Sequence, residues 1–180
     1  MQHRERDLFD ISSKNAVVVG GAGGIGRAIA QGFARYGAHV AVADIDGEAA
    51  EAVAEELRES FGVKSHGYET DITLRQRVDL TVEEIMGDYP AIDILVNSAG
   101  INYREPLLEI TDEHWDRILG VNLKGVMLFC RSVGKRMAER GEGGKIINVS
   151  SISSILGHRN RGAYAASKGG VVQITKVMAN

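Results

Sequence analysis

Five glycines fall within seven residues, 20–26 (GGAGGIG), directly after a β-branched run, Asn15–Val19 (NAVVV). Such a stretch has few ways to fold. The apolar run reads as a buried strand, and Gly20, Gly24 and Gly26 let the backbone turn tightly into a helix. Ile25, Ile29, Phe33 and Tyr36 are spaced to share one face of that helix, and Gly37 ends it. The alternation then continues. Residues 39–43 (HVAVA) form a second strand closing on Asp44, and Asp46 caps a helix over 48–60 with Ala49, Val53 and Leu57 as its apolar stripe. A weaker strand covers 64–68, and Thr73 with Gln76 makes a capping box for a helix reaching about Met86. Residues 92–96 (IDILV) are a strand ended by NSAG at 97–100, and Thr111, Asp112 and Glu113 open a long helical region to about Arg140. Residues 145–149 (KIINV) make a fifth strand, and a last helix spans 162–179. Strands alternating with helices imply an α/β domain over 15–180, its parallel sheet covered on both faces. Residues 1–14 read as a loosely held arm from which Leu8, Phe9 and Ile11 cover a core edge.

A length of 180 residues suits one domain, and 44% apolar with 25% charged residues is ordinary globular composition. A net charge of −3 gives no reason to expect a nucleic-acid or anionic-membrane partner. Cys130 is the only cysteine, so no internal disulfide is expected, and no Cys/His cluster has metal-site spacing. The first residues lack the apolar run of a secretory signal, and no run is long enough to span a membrane. A soluble, cytoplasmic protein is the expectation.

The glycine turn opens a helix N-terminus, where free N–H groups and the helix dipole favour an anion such as a pyrophosphate. Its spacing is G-x-x-x-G-x-G rather than G-x-G-x-x-G, and a tight turn alone would also use these glycines. The acid closing the second strand tips the balance. Asp44 stands where a carboxylate accepts hydrogen bonds from the adenine-side ribose hydroxyls and repels a 2′-phosphate. Neither Gly23, Ile45 nor Asp46 supplies a compensating cation, so NAD is expected over NADP.

Within residues 150–168 (SSISSILGHRNRGAYAASK), Tyr164 and Lys168 lie four apart, and Ser151 lies thirteen before the tyrosine. On a helix, i and i+4 share a face. A neighbouring ammonium pulls the phenol, whose free pKa is about 10, toward a value suited to proton transfer. A serine hydroxyl at the same point would bind an oxygen passing between alcohol and carbonyl. This is apparatus for hydride transfer.

Taken in order, the motifs resemble the classical short-chain dehydrogenase/reductases from about residue 9 to 180. The matched features are the 20–26 turn, Asp71 with Ile72, Asn97-Ser98-Ala99-Gly100, Asn122 within VNLKG, Ser151, and Tyr164 with Lys168. The resemblance implies a Rossmann-type, doubly wound, three-layer fold and hydride exchange between a nicotinamide and a secondary alcohol or ketone. It assigns Tyr164 as general acid/base and Lys168 to lower its pKa and hold the nicotinamide ribose. Ser151 would orient the substrate oxygen and Asn122 would hold a water in a proton relay, with a bare helix kink as the competing reading. Gly20, Gly24, Ile25 and Gly26 would hold the pyrophosphate, Asp71 and Ile72 would meet the adenine, and Asn97, Ala99 and Gly100 would flank the ribose. For Asn97, bracing the sheet is the stronger reading. Homodimers or homotetramers paired through the helices near residues 124–140 and Tyr164 are implied as well.

Two departures from the family pattern carry expectations. Val19 stands where threonine is usual, so the turn should lose a tie. Relatives also continue past the helix of Tyr164 with a sixth strand and a substrate-covering segment. The sequence therefore reads as part of a longer enzyme, or as a short form that binds dinucleotide or pairs without turnover, with an open edge at the fifth strand. The wording INYR at 101–104 and IINVSSISS at 146–154 is most similar to members acting on sugar acids and polyols, such as gluconate 5-dehydrogenase. Arg104, His158 and Arg159 suit a carboxylate-bearing substrate, although His158 and Arg159 equally suit an exposed loop. A 3-oxoacyl-carrier-protein reductase is the rival, and its usual NADPH is disfavoured by Asp44.

Overall fold

The computed structural model describes residues 10–180; Leu8 and Phe9, expected to cover a core edge, lie outside them. Five strands form one parallel sheet in the order β3-β2-β1-β4-β5: β1 (Asn15–Val19), β2 (His39–Asp44), β3 (Ser65–Glu69), β4 (Ile94–Asn97) and β5 (Lys145–Asn148). β1 is buried along its whole length because both faces are covered, which is why its sequence after Asn15 is continuously apolar rather than alternating. Ala16 and Val18 face helices α1 (Gly24–Arg35) and α2 (Gly47–Phe61), where Ala30, Ala34, Val53 and Leu57 pack. Val17 and Val19 face the opposite layer, α3 (Arg75–Asp88) and α5 (Val126–Arg140), through Val78, Val82, Phe129 and Val133. The remaining helices are α4 (Asp112–Leu119), continued into α5 by a π-helical turn at Gly120–Gly125, and α6 (Gly162–Met178). The chain leaves β1 toward β2 on one side, and the later crossovers place β4 on the other. A crevice therefore opens beyond the carboxyl ends of β1 and β4, where doubly wound sheets hold ligands.

Local expectations hold at the caps of α2 and α4. The Asp46 carboxylate accepts from Ala49 N at 2.9 Å, and Thr111 Oγ1 accepts from His114 N at 3.2 Å. Two other expectations are corrected. On α1, Ile29 and Phe33 pack against the core as expected, but the fully buried residues are Gly26, Ala30 and Ala34, and Ile25 and Tyr36 are 65% and 69% exposed. The cause is the close approach of α1 to the glycine turn, which only a small-residue face permits. The capping box at Thr73 and Gln76 does not form. Leu74 occupies the N-cap of α3, because Asp71 Oδ1, a charged acceptor, takes both Thr73 N (2.9 Å) and Thr73 Oγ1 (2.7 Å). The long helical region expected from 111 to 140 is continuous over Asp112–Arg140, with the π turn at Gly120–Gly125 set within it. Among the described residues β5 pairs only with β4 and leaves Ile147 47% exposed.

Candidate active site

A groove of about 620 Å³ occupies the crevice between β1 and β4. One wall is the glycine turn with Asp44 and Ile45; the other is formed by Asp71, Ile72, Thr73, Arg117 and Val121; residues 98–101 are the floor. Each glycine of the turn has its own physical requirement. Gly20 sits at φ +75°, and a Cβ there would lie 2.6 Å from Ala99 N and Cα. A Cβ on Gly26 would lie 2.1 Å from Gly20 O, so α1 enters against the turn itself. Around Gly24 there is nothing within 4 Å of a built Cβ. Packing inside the protein does not require glycine at that position; a ligand brought against the helix start would. No side chain caps α1 and no acid occupies its first turn, which leaves the N-terminus suited to an anion. The groove thus fits a dinucleotide by the chemistry of its lining.

Val19 does not leave the turn untied. Gly20 N and Gly21 N both donate to Ala43 O (2.8 and 3.2 Å), and Ala22 N donates to Asp44 Oδ2 at 3.1 Å. Asp44 also accepts from Asp46 N through Oδ1 at 3.3 Å. The carboxylate expected to read a ribose therefore also steadies the turn. Opposite it, Ile72 packs so tightly on the π turn that a Cβ on Gly125 would lie 2.6 Å from its side chain.

Asn97 is not in the groove lining. Its side chain is buried on the far side of β4, where Nδ2 donates to Asn148 Oδ1 (2.8 Å) and Cys130 Sγ (3.4 Å). The pleat explains the difference, because consecutive residues point to opposite faces. These bonds bear out the reading of Asn97 as a brace of the sheet, here between β4, β5 and α5. Burial pushes the Cys130 thiol pKa up, as suits an inert structural cysteine.

Beyond Gly100 the groove meets a polar cluster that joins three remote segments. Asn122 is fully buried. Its Oδ1 accepts from Ile101 N (2.8 Å), and its Nδ2 donates to Ile101 O (2.8 Å) and Ser167 Oγ (3.2 Å). Ser167 Oγ in turn donates to Tyr164 O at 2.7 Å. Lys168 is 4% exposed; its Nζ donates to Val149 O at 2.8 Å and lies 5.8 Å from the centre of the Tyr164 ring. A Cβ on Gly100 would sit 3.3 Å from Asn122 Oδ1 and 3.5 Å from Lys168 Nζ, so the groove floor runs directly into this cluster. Of the serines before α6, Ser150 Oγ donates to Lys168 O, Ser154 Oγ donates to Ser151 O, and Ser153 is buried. Ser151 caps the short 3-10 turn Ile152–Ser154, accepting from Ser153 N at 3.1 Å and keeping its own hydroxyl proton for another acceptor. Arg104, His158 and Arg159 are exposed. Ser167, Ile45, Thr73, Val121 and Arg117 enter the site without a motif of their own in the sequence.

Burial holds the Lys168 ammonium pKa below the ordinary lysine value. Between that lowered value and the ordinary one, the unfolded chain binds more protons than the folded chain, so stability rises with pH across this window. Against Lys168→Met, which cannot titrate, the wild type should gain in thermal midpoint as pH rises from 7 to beyond the ordinary lysine range. Parallel midpoints across that range would mean that Lys168 is not desolvated.

The sequence matches the short chain dehydrogenase family over residues 14–180. It is 38% identical over 172 residues to 5-keto-D-gluconate 5-reductase of Escherichia coli (strain K12), covering 96% of this chain and 67% of that protein. It is 40% identical over 171 residues to D-threitol dehydrogenase of Mycolicibacterium smegmatis, covering 95% and 65%. A solved structure of NAD+-bound xylitol dehydrogenase superposes with a TM-score of 0.90 at 31% identity, covering 93% of this chain and 64% of that one. The chain spans about two thirds of the length of these relatives. Matched nearly end to end, with a parallel sheet whose switch-point groove runs into a Tyr164–Lys168 helix, the chain belongs to the short-chain dehydrogenase family.

Proposed function

We propose that this protein is an NAD-dependent oxidoreductase that interconverts a secondary alcohol and a ketone, with a sugar acid or polyol as substrate. The observation that carries the reading is the position of Gly100, where an added Cβ would lie 3.3 Å from Asn122 Oδ1 and 3.5 Å from Lys168 Nζ, so that the groove runs into the Tyr164 helix. A bound nicotinamide would supply or accept the hydride. In the oxidative direction the Tyr164 phenolate oxygen would take the hydroxyl proton while the carbon bearing that hydroxyl gives up its hydride to the nicotinamide; in reduction the phenol would return the proton to the carbonyl oxygen. The Lys168 ammonium, held by Val149 O beside the phenol, favours the phenolate. The Ser151 hydroxyl donates to the substrate oxygen. Asn122 fixes Ile101 at the groove floor and, through Ser167, the first turn of α6 that carries Tyr164. The substrate class draws support from the sugar-acid reductase and polyol dehydrogenase among the relatives, and from the exposed Arg104, His158 and Arg159.

Asp44 supports NAD over NADP, because a 2′-phosphate would be placed against its carboxylate. Separate calorimetric titrations should show tighter binding of NAD than of NADP. Asp44→Asn keeps an oxygen for Ala22 N but removes the charge, and should narrow the NAD/NADP ratio by roughly 10- to 100-fold, the effect of relieving one like-charge contact. An unchanged ratio would mean that Asp44 does not read the ribose, and binding that favours NADP would overturn the cofactor assignment.

A further inference from the structure

Arg117, on the last turn of α4, lines the groove on the wall made by Asp71, Ile72 and Thr73. Among the described residues it is the only cationic side chain in the lining, and the two acidic groups there with it are Asp44 and Asp71. It does not serve as a counter-ion to either. Asp44 is held by Ala22 N and Asp46 N, and Asp71 by Thr73 N and Oγ1. Among the described residues the Arg117 side chain has no ion pair, hydrogen bond or ring contact, including with Glu113 one turn earlier. An exposed guanidinium without an internal partner, on a wall otherwise apolar at Ile72 and Val121, is placed for a ligand.

Its position distinguishes which part of a ligand it would meet. The backbone N–H groups suited to phosphate lie across the groove at the start of α1. The Arg117 wall is joined to the β3–α3 loop, since a Cβ on Gly120 would meet Thr73 Cγ2 at 3.9 Å and the π turn packs on Ile72. Asp44 stands opposite, at the end of β2. With the Asp44 and Asp71 carboxylates in the lining, this end of the groove repels a phosphate and suits an uncharged aromatic base, on whose face a planar guanidinium stacks. We propose that Arg117 is a further nucleotide-binding residue, closing the adenosine end of the groove with its guanidinium against the purine. This rests on the reading of the groove as a nicotinamide dinucleotide site.

The test compares wild type, Arg117→Met and Arg117→Lys by calorimetry with NAD, ADP-ribose and nicotinamide mononucleotide. Methionine keeps the length of the side chain without the charge or the planar fork. Because the position is exposed, the thermal midpoint should not move. Arg117→Met should weaken NAD and ADP-ribose by about 5- to 30-fold and leave the mononucleotide, which has no purine, unchanged; Arg117→Lys should recover only part of the loss. Undiminished binding of ADP-ribose to Arg117→Met would overturn the assignment while leaving the dinucleotide site intact. Equal losses with the mononucleotide would place the guanidinium on phosphate and also overturn it. A wild type that binds neither NAD nor ADP-ribose would remove the dinucleotide reading and this inference together.

Discussion

Tyr164→Phe is expected to lower turnover by roughly 10²–10⁴-fold, the range that one positioned acid/base supplies, while NAD affinity changes by about twofold or less. The asymmetry follows from the structure. Phenylalanine keeps the ring beside Lys168, and the ammonium remains tied to Val149 O, so the shape of the site survives. Only the oxygen that moves the proton is lost. The backbone of residue 164 stays held by Ser167 Oγ, which fixes the first turn of α6 independently of the phenol. The measurement pairs steady-state rates on a panel of polyols and sugar acids with calorimetric NAD binding, on the same preparations. Retention of most of the turnover would take Tyr164 out of its assigned role. A parallel collapse of NAD affinity would mean that the substitution acts on folding rather than on chemistry.

The second large effect separates two glycines of one turn. Gly26→Ala would force a methyl to within 2.1 Å of Gly20 O, and the atoms it meets are all backbone, so no side chain can rotate away. The turn or the start of α1 must shift, with an expected loss of about 3 kcal/mol of stability, typical of overpacking, and of NAD binding with it. Gly24→Ala meets nothing within 4 Å. At that helical position alanine should leave stability unchanged or raise it by up to about 1 kcal/mol. Yet if Gly24 is glycine so that a pyrophosphate can reach the helix start, the alanine variant should fold normally and bind NAD at least tenfold more weakly, about 1.4 kcal/mol. Thermal unfolding and calorimetry on the two variants make the comparison. Normal NAD affinity in Gly24→Ala would argue that the turn is structural only.

The parts of the chain that read correctly from sequence share a property: their signal is local and their environment uniform. After Asn15, β1 is continuously apolar because both of its faces are buried, and such a run cannot be mistaken for a solvated strand. The caps at Asp46 and Thr111 depend on atoms three residues away. The misread parts involve competition between a local rule and a distant contact. Periodicity places Ile25 and Tyr36 on the inner face of α1 with Ile29 and Phe33; the latter two do pack on the core, but the approach of Gly26 to Gly20 O sets small residues deepest and leaves Ile25 to the groove. Thr73 is a good cap by composition, yet Asp71 claims its hydroxyl. For Asn97 the bracing role is legible, but its partners Cys130 and Asn148, 33 and 51 residues away, are not.

Along the chain alone, the order of strands and helices, the strand–glycine–helix turn and the four-residue step from Tyr164 to Lys168 are all legible, because each depends on neighbours a few residues apart and on backbone geometry that any such sequence shares. The assembly of the site is not legible in this way. Asn122 finds Ile101 and Ser167, Lys168 finds Val149, and Arg117 comes to share a wall with Asp71, only after the crossovers bring α4, α6 and the β3–α3 loop to one end of the sheet. These contacts span about 20 to 45 residues of sequence. At such separations side-chain spacing carries no angular information, and the outcome is set by how the layers pack on the sheet.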